Sequence, residues 1–162
     1  RAVFEELATD LGIDDGRLVI DGPLPVLESC RTRFEQVTYN IVGNAIKYHP
    51  DPAAARVTVR ATRVGNRYRF SIADDGAGID PRFRERIFEM FQTLQSKDDI
   101  ESTGIGLSIV RKSVESVGGA VHVDGTPGGG STFHVDWPID TAATLERGGS
   151  NASSGPTIKK AA

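Results

Sequence analysis

One helical stretch decides the fold of this chain: Phe34-Glu-Gln-Val-Thr-Tyr-Asn-Ile-Val-Gly-Asn-Ala-Ile-Lys-Tyr48. Val37, Ile41 and Ala45 recur at every fourth position, which is the spacing of one face of an α-helix. Such a stripe predicts a helix that packs this face against a core. Ser29 stands just before the stretch as an expected N-cap, so the helix is predicted to run from there to about Tyr48.

A polar face lies beside that stripe and carries Asn40, Asn44 and Lys47. At about 100° per residue the three side chains fall within about 60° of arc, so they point the same way. Carboxamide oxygens suit Mg²⁺, and a lysine supplies a point charge for phosphate oxygens. The face is therefore a candidate site for a metal-bound phosphate. A solvated helix face that carries two asparagines is the alternative.

The composition is that of one ordinary globular domain. The chain has 162 residues, of which 38% are hydrophobic and 25% charged. Its net charge of −3 argues against a nucleic-acid-binding surface, which usually carries a basic excess. Cys30 is the single cysteine, so an internal disulfide is excluded and a reducing, cytoplasmic location is favoured. No membrane contact is expected, since neither a bilayer-spanning run nor a signal-peptide pattern is visible. Because the chain begins with Arg1, we expect it to be a piece of a larger protein.

Turn signals divide the chain into short elements. Residues 1–16 are expected to hold the end of an upstream helix and a linker, residues 17–140 the folded domain, and residues 141–162 a disordered tail rich in Ala, Gly and Ser. The other predicted elements are strands at Leu18–Ile20 and Val26–Leu27, a hairpin of residues 57–72, a helix capped by Asp80 with the stripe Phe83, Ile87, Met90 and Phe91, a helix from near Gly104 to Gly118-Gly119, and a hairpin of residues 121–135. This order predicts helices on one face of a mixed sheet, an α/β (α+β) two-layer sandwich.

A first glycine-containing segment, Asp74-Asp-Gly-Ala-Gly-Ile79, directly follows a predicted strand. A carboxylate at a strand end can accept a hydrogen bond from an exocyclic amine, and Gly76 and Gly78 let the backbone come close to a flat ligand. A structural turn is one alternative. A calcium loop is another, but Ile79, Pro81 and Phe83 interrupt the ligand spacing that it needs.

A second such segment, Ser102-Thr-Gly-Ile-Gly-Leu107, leads into a helix. Backbone N–H groups at a helix N-terminus, unobstructed by side chains at Gly104 and Gly106, favour phosphate binding. An ordinary glycine-rich helix start is the alternative. The segment is not a P-loop, since no Gly-Lys-Ser/Thr follows, and no strand leads into it as a dinucleotide fingerprint requires.

The order of these segments, with Gly130-Ser-Thr-Phe133 behind them, is more specific than any one of them. Residues 17–138 resemble the ATP-binding domain of sensor histidine kinases, within the gyrase, chaperone, histidine kinase and mismatch-repair ATPase superfamily. The motifs that carry the resemblance are an N box (Asn40, Asn44, Lys47, Tyr48), a first glycine box (Asp74, Gly76, Gly78), a phenylalanine box (Phe88, Phe91) and a second glycine box (Gly104, Gly106, Leu107). The resemblance implies a Bergerat-type fold that binds ATP and Mg²⁺.

The resemblance also implies a role for each matching residue. Asp74 would accept the adenine amino group, with Thr132 assisting through water. Asn44 would ligate Mg²⁺, while Asn40 and Lys47 would hold the phosphates as the catalytic pair. The remaining implied contacts are Tyr48 at the ribose, Gly76, Gly78 and Ile79 around adenine, Thr103, Gly104, Ile105, Gly106 and Leu107 at the triphosphate, and Phe88 and Phe91 as anchors of a lid of residues 92–103 that orders when nucleotide binds.

The implied activity is transfer of the γ-phosphoryl group to a histidine on separate dimerisation helices of the same parent protein. A cognate response regulator would be the next partner, the parent would be a homodimer, and this piece a monomer. Two departures favour a degenerate nucleotide-binding scaffold: Ser102 replaces a family glycine, and Thr93 stands where many members have arginine, a charge that Lys97 could supply. A serine kinase of the anti-sigma-factor type is the other alternative.

The residues outside these motifs give weaker indications. His122 and His134 lie in predicted strands, where a hydrogen-bonded structural role is expected. Arg111-Lys112 is predicted to be a solvated helix face, and Trp137 a core residue.

Overall fold

The computed structural model describes residues 1–14, 16–89 and 105–139. In this part of the chain, three helices, two 3₁₀ turns and five strands follow one another. In chain order they are α1 (Ala2–Asp10), β1 (Leu18–Ile20), α2 (Arg31–Lys47), β2 (Val57–Val64), β3 (Arg67–Asp74), the 3₁₀ turns Pro81–Phe83 and Arg86–Phe88, α3 (Gly106–Ser116), β4 (Ala120–Gly125) and β5 (Ser131–Pro138).

The strands form one mixed sheet in the order β1-β2-β3-β5-β4. β1 runs parallel to β2, and the other neighbouring pairs are antiparallel. Side chains alternate between the two faces of a strand, and on β5 Phe133, Val135 and Trp137 are buried while His134 and Asp136 are half-buried. The helices cover the apolar face, and the other face is polar. The predicted two-layer sandwich with helices on one face of a mixed sheet is confirmed.

Phe34 on α2 stands at the centre of an aromatic cluster in the core. Its ring meets Phe4, Phe70 and Trp137 edge-on, at centroid distances of 6.1, 4.8 and 5.2 Å. Such pairs each contribute about 0.5–1.5 kcal/mol beyond the area they bury. They join α1, α2, β3 and β5, so α1 belongs to the same core as the sheet. The prediction that Trp137 is a core residue is confirmed.

Two predictions made for the segment before α2 are wrong. Ser29 is not the N-cap, because its hydroxyl accepts a 2.8 Å hydrogen bond from Trp137 Nε1, and Cys30 takes the cap position. Val26–Leu27 is not a strand, and Val26 is 94% exposed. Pro23 and Pro25 remove backbone donors that a strand ladder would need.

The helix predicted after Asp80 is also different in the structure. Asp80 does cap it, with its carboxylate accepting from Arg82 N, and Pro81 takes the first position. The described residues form two 3₁₀ turns instead of one α-helix, since the bonds run from Phe83 to Asp80 and from Glu89 to Arg86, three residues apart. As a result Ile87 and Phe88 are the buried residues, whereas Phe83 is half-buried.

An ion pair on the polar face links β3 to β5. Arg69 Nε and Nη2 donate to the two oxygens of Asp136 at 2.7 and 2.8 Å. The Arg69 hydrogen bonds lower the pKa of Asp136 below its ordinary value. The carboxylate therefore stabilises the fold above the unfolded-state pKa of about 3.9, and this contribution is lost as the pH falls below that value.

We expect Asp136→Asn to lower the free energy of unfolding at pH 7 by about 0.5–1 kcal/mol, a figure reduced for the solvent exposure of Arg69. Urea unfolding of both proteins at pH 7 and pH 3 tests this. The difference between them should shrink at the lower pH, and a difference that stays constant would contradict the assignment.

Candidate functional site

The polar face of α2 meets the N-terminus of α3. Asn40, Asn44 and Lys47 all lie within α2, where the two asparagines are half-buried and the lysine is exposed. Asn40 Nδ2 donates to the Gln36 carbonyl at 2.8 Å, which fixes the carboxamide. Its Oδ1 lies so close to Gly106 that a Cβ placed there would be 2.7 Å away. Glycine at 106 therefore permits contact between the N box and the start of α3.

This contact makes Gly106→Ala informative. The new methyl group meets the end of a flexible side chain, so the fold should tolerate it while the Asn40 carboxamide is displaced. We expect a free energy of unfolding within about 1 kcal/mol of the parent and a several-fold loss of ATP affinity. Calorimetry and urea unfolding measure the two quantities.

Gly43→Ala on the same helix α2 is the matched control. A Cβ at Gly43 meets nothing within 4 Å. Alanine there should raise the free energy of unfolding by about 0.5–1 kcal/mol and leave nucleotide affinity unchanged. Equal affinities for the Gly106 variant and the parent would show that the position of Asn40 does not matter.

Asp74, at the end of β3, is held by two backbone groups. Its Oδ1 accepts hydrogen bonds from Gly76 N at 2.9 Å and Ser131 N at 3.1 Å. Burial raises the pKa of Asp74 above its ordinary value, and these two bonds oppose that shift. Both bonds go to Oδ1, so the second carboxylate oxygen, Oδ2, can accept a hydrogen bond from a ligand amine.

A tight backbone contact closes this corner of the sheet. Gly130 has φ +86°, and a Cβ on it would lie 2.0 Å from the Asp74 carbonyl oxygen. Gly78 has φ +78°, and a Cβ placed on Gly78 would lie 3.0 Å from the Gly130 carbonyl oxygen. Neither position accepts a side chain, so both glycines are required for the approach of the loop before β5 to the Asp74 segment.

Ser131, and not Thr132, is the residue that the structure brings to Asp74. Ser131 is buried on the core face of β5, whereas Thr132 Oγ1 is 2.8 Å from Thr126 Oγ1. The alternation with Phe133 and Val135 was the signal that could have identified Ser131, because residues 131, 133 and 135 share one face. The role predicted for Thr132, which is to assist Asp74 through water, stays a prediction.

A second carboxylate, Asp75, lies beside Asp74 and has separate partners. Asp75 Oδ1 accepts from Arg56 N at 2.8 Å and lies 3.3 Å from His49 Nε2. These contacts join the segment between α2 and β2 to the end of β3, and the sequence did not predict them. Nothing in the local pattern links His49 to a residue 26 positions later.

Phe88 anchors the described end of the phenylalanine box. Its ring is buried, packs edge-on to Phe133 at 6.2 Å, and lies 4.5 Å from the Arg111 guanidinium. Arg111 also pairs with Glu85 at 2.9 Å. Of the solvated face predicted at Arg111-Lys112, Lys112 is exposed as expected. The prediction is wrong for Arg111, because its guanidinium stacks on an aromatic ring.

Some of the other predicted contact residues lie in the part of the chain that the structure describes, and the rest lie outside it. Ile79 and Leu107 are half-buried against the core, Ile105 is the N-cap of α3, and Lys47 Nζ lies 5.8 Å from the Tyr48 ring centroid. α2 packs against both α3 and β3, which brings the N box and the Asp74 corner to one side of the sheet. Predictions that lie outside the described residues concern Met90, Phe91, Thr93, Lys97, Ser102, Thr103, Gly104, the lid of residues 92–103 and the tail of residues 141–162.

A family model described as histidine kinase-, DNA gyrase B-, and HSP90-like ATPase matches residues 30–141. This chain belongs to that family. The match contains α2, the Asp74 corner and the start of α3, and it confirms the resemblance that the motifs indicated.

Relatives of this chain include a phytochrome and a sensory kinase. Cyanobacterial phytochrome A of Nostoc is 34% identical over 136 residues, covering 84% of this chain and 18% of the relative. The adaptive-response sensory kinase SasA of Rippkaea orientalis is 34% identical over 140 residues, covering 86% of this chain and 34% of the relative. The chain thus spans between about a fifth and a third of the length of these relatives.

Solved structures agree on the fold. Full-length ShkA in complex with AMPPNP is 32% identical with a TM-score of 0.69, covering 87% of this chain and 30% of that one. The catalytic domain of histidine kinase ThkA is 26% identical with a TM-score of 0.65, covering 86% of this chain and 88% of that one. The chain is therefore an ATP-binding catalytic domain of the sensor histidine kinase type. None of its helices among residues 1–14, 16–89 and 105–139 combines the length and apolar character of a membrane span.

Proposed function

We propose that this domain binds ATP with Mg²⁺ and transfers the γ-phosphoryl group to a histidine on dimerisation helices of its parent protein. The observation that carries the proposal is the contact between Asn40 Oδ1 and Gly106 at the N-terminus of α3. It places a polar helix face beside backbone N–H groups that favour phosphate. The anchored carboxylate of Asp74 supports the assignment of the adenine end.

The side chains of α2 fit a magnesium ion. Asn40 and Asn44 are neutral oxygen donors one helical turn apart, both half-buried, and the Asn40 carboxamide is already oriented by its bond to Gln36. Asn44 would hold the ion, with phosphate oxygens as its other ligands. When bound, the ion supplies charge neutralisation of the triphosphate.

The residues of this chain would act by positioning the nucleotide. Asp74 would accept the adenine amino group, Asn40 and Lys47 would bind phosphate oxygens, and the N–H of Gly106 would donate to them. Tyr48, Gly76, Gly78, Ile79, Phe91, Thr103, Gly104, Ile105 and Leu107 complete the proposed contacts. Phosphoryl transfer requires little covalent participation from the protein, so alignment and charge account for most of the catalysis.

The proposed partners follow from the same assignment. A response regulator would receive the phosphoryl group, as suggested by the structure of ThkA in complex with response regulator protein TrrA. We place the domain in the cytoplasm, where ATP and such a regulator are available. The parent would be a homodimer, since the acceptor histidine lies on dimerisation helices.

Labelled ATP tests the transfer. The domain is incubated with Mg²⁺ and the separately produced dimerisation helices of its parent, and the phosphate on those helices is then tested in acid. Acid-labile label is the expected result. Binding without transfer would support a regulatory scaffold, and acid-stable label would support a serine kinase; either result overturns the proposal.

A further inference from the structure

Two histidines and an aspartate meet on the polar face of the sheet, opposite the helices. His122 and Asp124 are two residues apart on β4 and share a face, while His134 lies directly across from His122 on β5. The imidazole rings stack with centroids 4.8 Å apart. Asp124 Oδ2 lies 3.9 Å from His122 Nε2 and 3.7 Å from His134 Nε2. One ligand atom from each residue thus falls within 4.8 Å of the others.

Neighbouring groups already orient this cluster. Ser71 Oγ, on β3, lies 2.9 Å from His134 Nδ1, which leaves His134 Nε2 directed to the cluster. Arg84 approaches the other carboxylate oxygen, with Nη1 3.5 Å from Asp124 Oδ1. A hydrogen bond to the second ring nitrogen fixes the tautomer of a metal-ligating histidine, and such partners raise metal affinity about 10- to 100-fold.

We propose that His122, Asp124 and His134 bind one divalent transition-metal ion of the zinc class. Two imidazoles and one carboxylate suit zinc and not Mg²⁺, which prefers oxygen ligands alone. Ligand atoms around a tetrahedral zinc ion lie roughly 3.3 Å apart for bonds of about 2.0–2.1 Å. The two distances to Asp124 exceed this by about half an ångström. The three ligand atoms lie within 4.8 Å of one another, so the widest gap that rotation of the side chains must close is at most about 1.5 Å.

The site is separate from the nucleotide site and has a structural consequence. Its ligands face away from α2, whereas Asp74 lies at the core-facing corner held by Ser131. The ion would link β4 to β5 in the hairpin whose loop, residues 126–130, approaches Asp74 through Gly130. Metal binding would therefore stabilise the hairpin that contacts Asp74, the residue whose carboxylate is proposed to bind adenine.

Zinc titration of the whole chain, prepared without a histidine tag and without nucleotide, tests the proposal. We expect one ion per chain by calorimetry and a rise in melting temperature, since a ligand that binds only the folded state stabilises it. His134→Ala and His122→Ala should each lower the affinity by at least about tenfold and remove most of the thermal shift. Ser71→Ala should lower it by about tenfold through lost orientation of His134.

His49→Ala is the matched control, because His49 lies outside the cluster and pairs with Asp75. The His49 variant should bind zinc with the same affinity as the unsubstituted domain. Cobalt provides a second readout that does not depend on variant stability: the parent should give the intense visible absorption of a tetrahedral Co²⁺ site. Absence of both zinc binding and this spectrum, or equal losses in the His49 variant and the cluster variants, would overturn the proposal.

Discussion

Asp74→Asn is expected to lower ATP affinity by about 10- to 100-fold while the domain stays folded. Asparagine keeps an oxygen to accept from Gly76 and Ser131, so the two backbone bonds survive. The second carboxylate oxygen becomes an NH₂ donor that faces the adenine amino group, and a charge-assisted hydrogen bond worth about 1.5–3 kcal/mol is lost. Calorimetry with ATP and GTP should show that the preference for ATP shrinks as well.

The pKa of Asp74 gives the sign of the stability change in this variant. Burial raises that pKa, so at neutral pH the ionised carboxylate costs folding free energy that the neutral amide does not. The melting temperature of the nucleotide-free variant should therefore equal or exceed that of the parent. Asp75→Asn is the control next in sequence, with its own partners Arg56 and His49. If both variants lose affinity equally, or if the parent binds ATP and GTP equally well, Asp74 does not read adenine.

Asn44→Asp is expected to abolish productive binding of Mg·ATP, with at least a tenfold loss of affinity. The substitution places a negative charge beside the triphosphate, and one like-charge contact at about 4 Å costs roughly 1–4 kcal/mol at the dielectric of a protein surface. Asn44 is half-buried in the last turn of α2 and is not part of the buried apolar stripe, so the fold should be unaffected. Nucleotide affinity is measured with Mg²⁺ and again with the metal chelated. The unsubstituted domain should bind more tightly with the metal. The variant should show a larger difference, because its carboxylate repels the triphosphate directly when no metal lies between them.

Asn66→Asp adds the same charge in the turn between β2 and β3, and it serves as the control. It should leave both nucleotide affinity and the response to Mg²⁺ unchanged. A normal rate of phosphoryl transfer in Asn44→Asp, or an unaltered dependence on Mg²⁺, would contradict the assignment of Asn44 as the metal ligand.

The features that sequence predicted correctly are periodic ones. Val37 and Ile41 are buried as the helical stripe requires, and the alternation on β2, β3 and β5 gave the sheet. Gly118, with φ +78°, ends the third helix as expected from its conformational freedom. These features follow from patterns within a few residues, which is why they could be predicted from one sequence.

The predictions that the structure contradicts concern residues whose contacts are made with distant parts of the sequence. Serine is a residue type typical of N-caps, but the Ser29 hydroxyl accepts a hydrogen bond from Trp137, 108 positions later. Arg111 has the charge of a surface residue, but Phe88 and Glu85 hold it. In the site, Asn40 approaches Gly106 only when α2 packs against α3, and Ser131 bonds to Asp74 only when β5 pairs with β3. The residue types were predictable from the motifs, and their spatial partners were not.

An amide NMR titration with Mg·ATP tests the central claim most directly, because it reports both binding and its location. We expect saturable shifts at Gly76, Gly106 and Ser131, which belong to two separate corners of the site, while Gly65 in the hairpin turn stays unchanged. Unshifted amides at those three positions with millimolar nucleotide and metal would contradict the claim that the N box, the Asp74 corner and the start of α3 converge on one nucleotide.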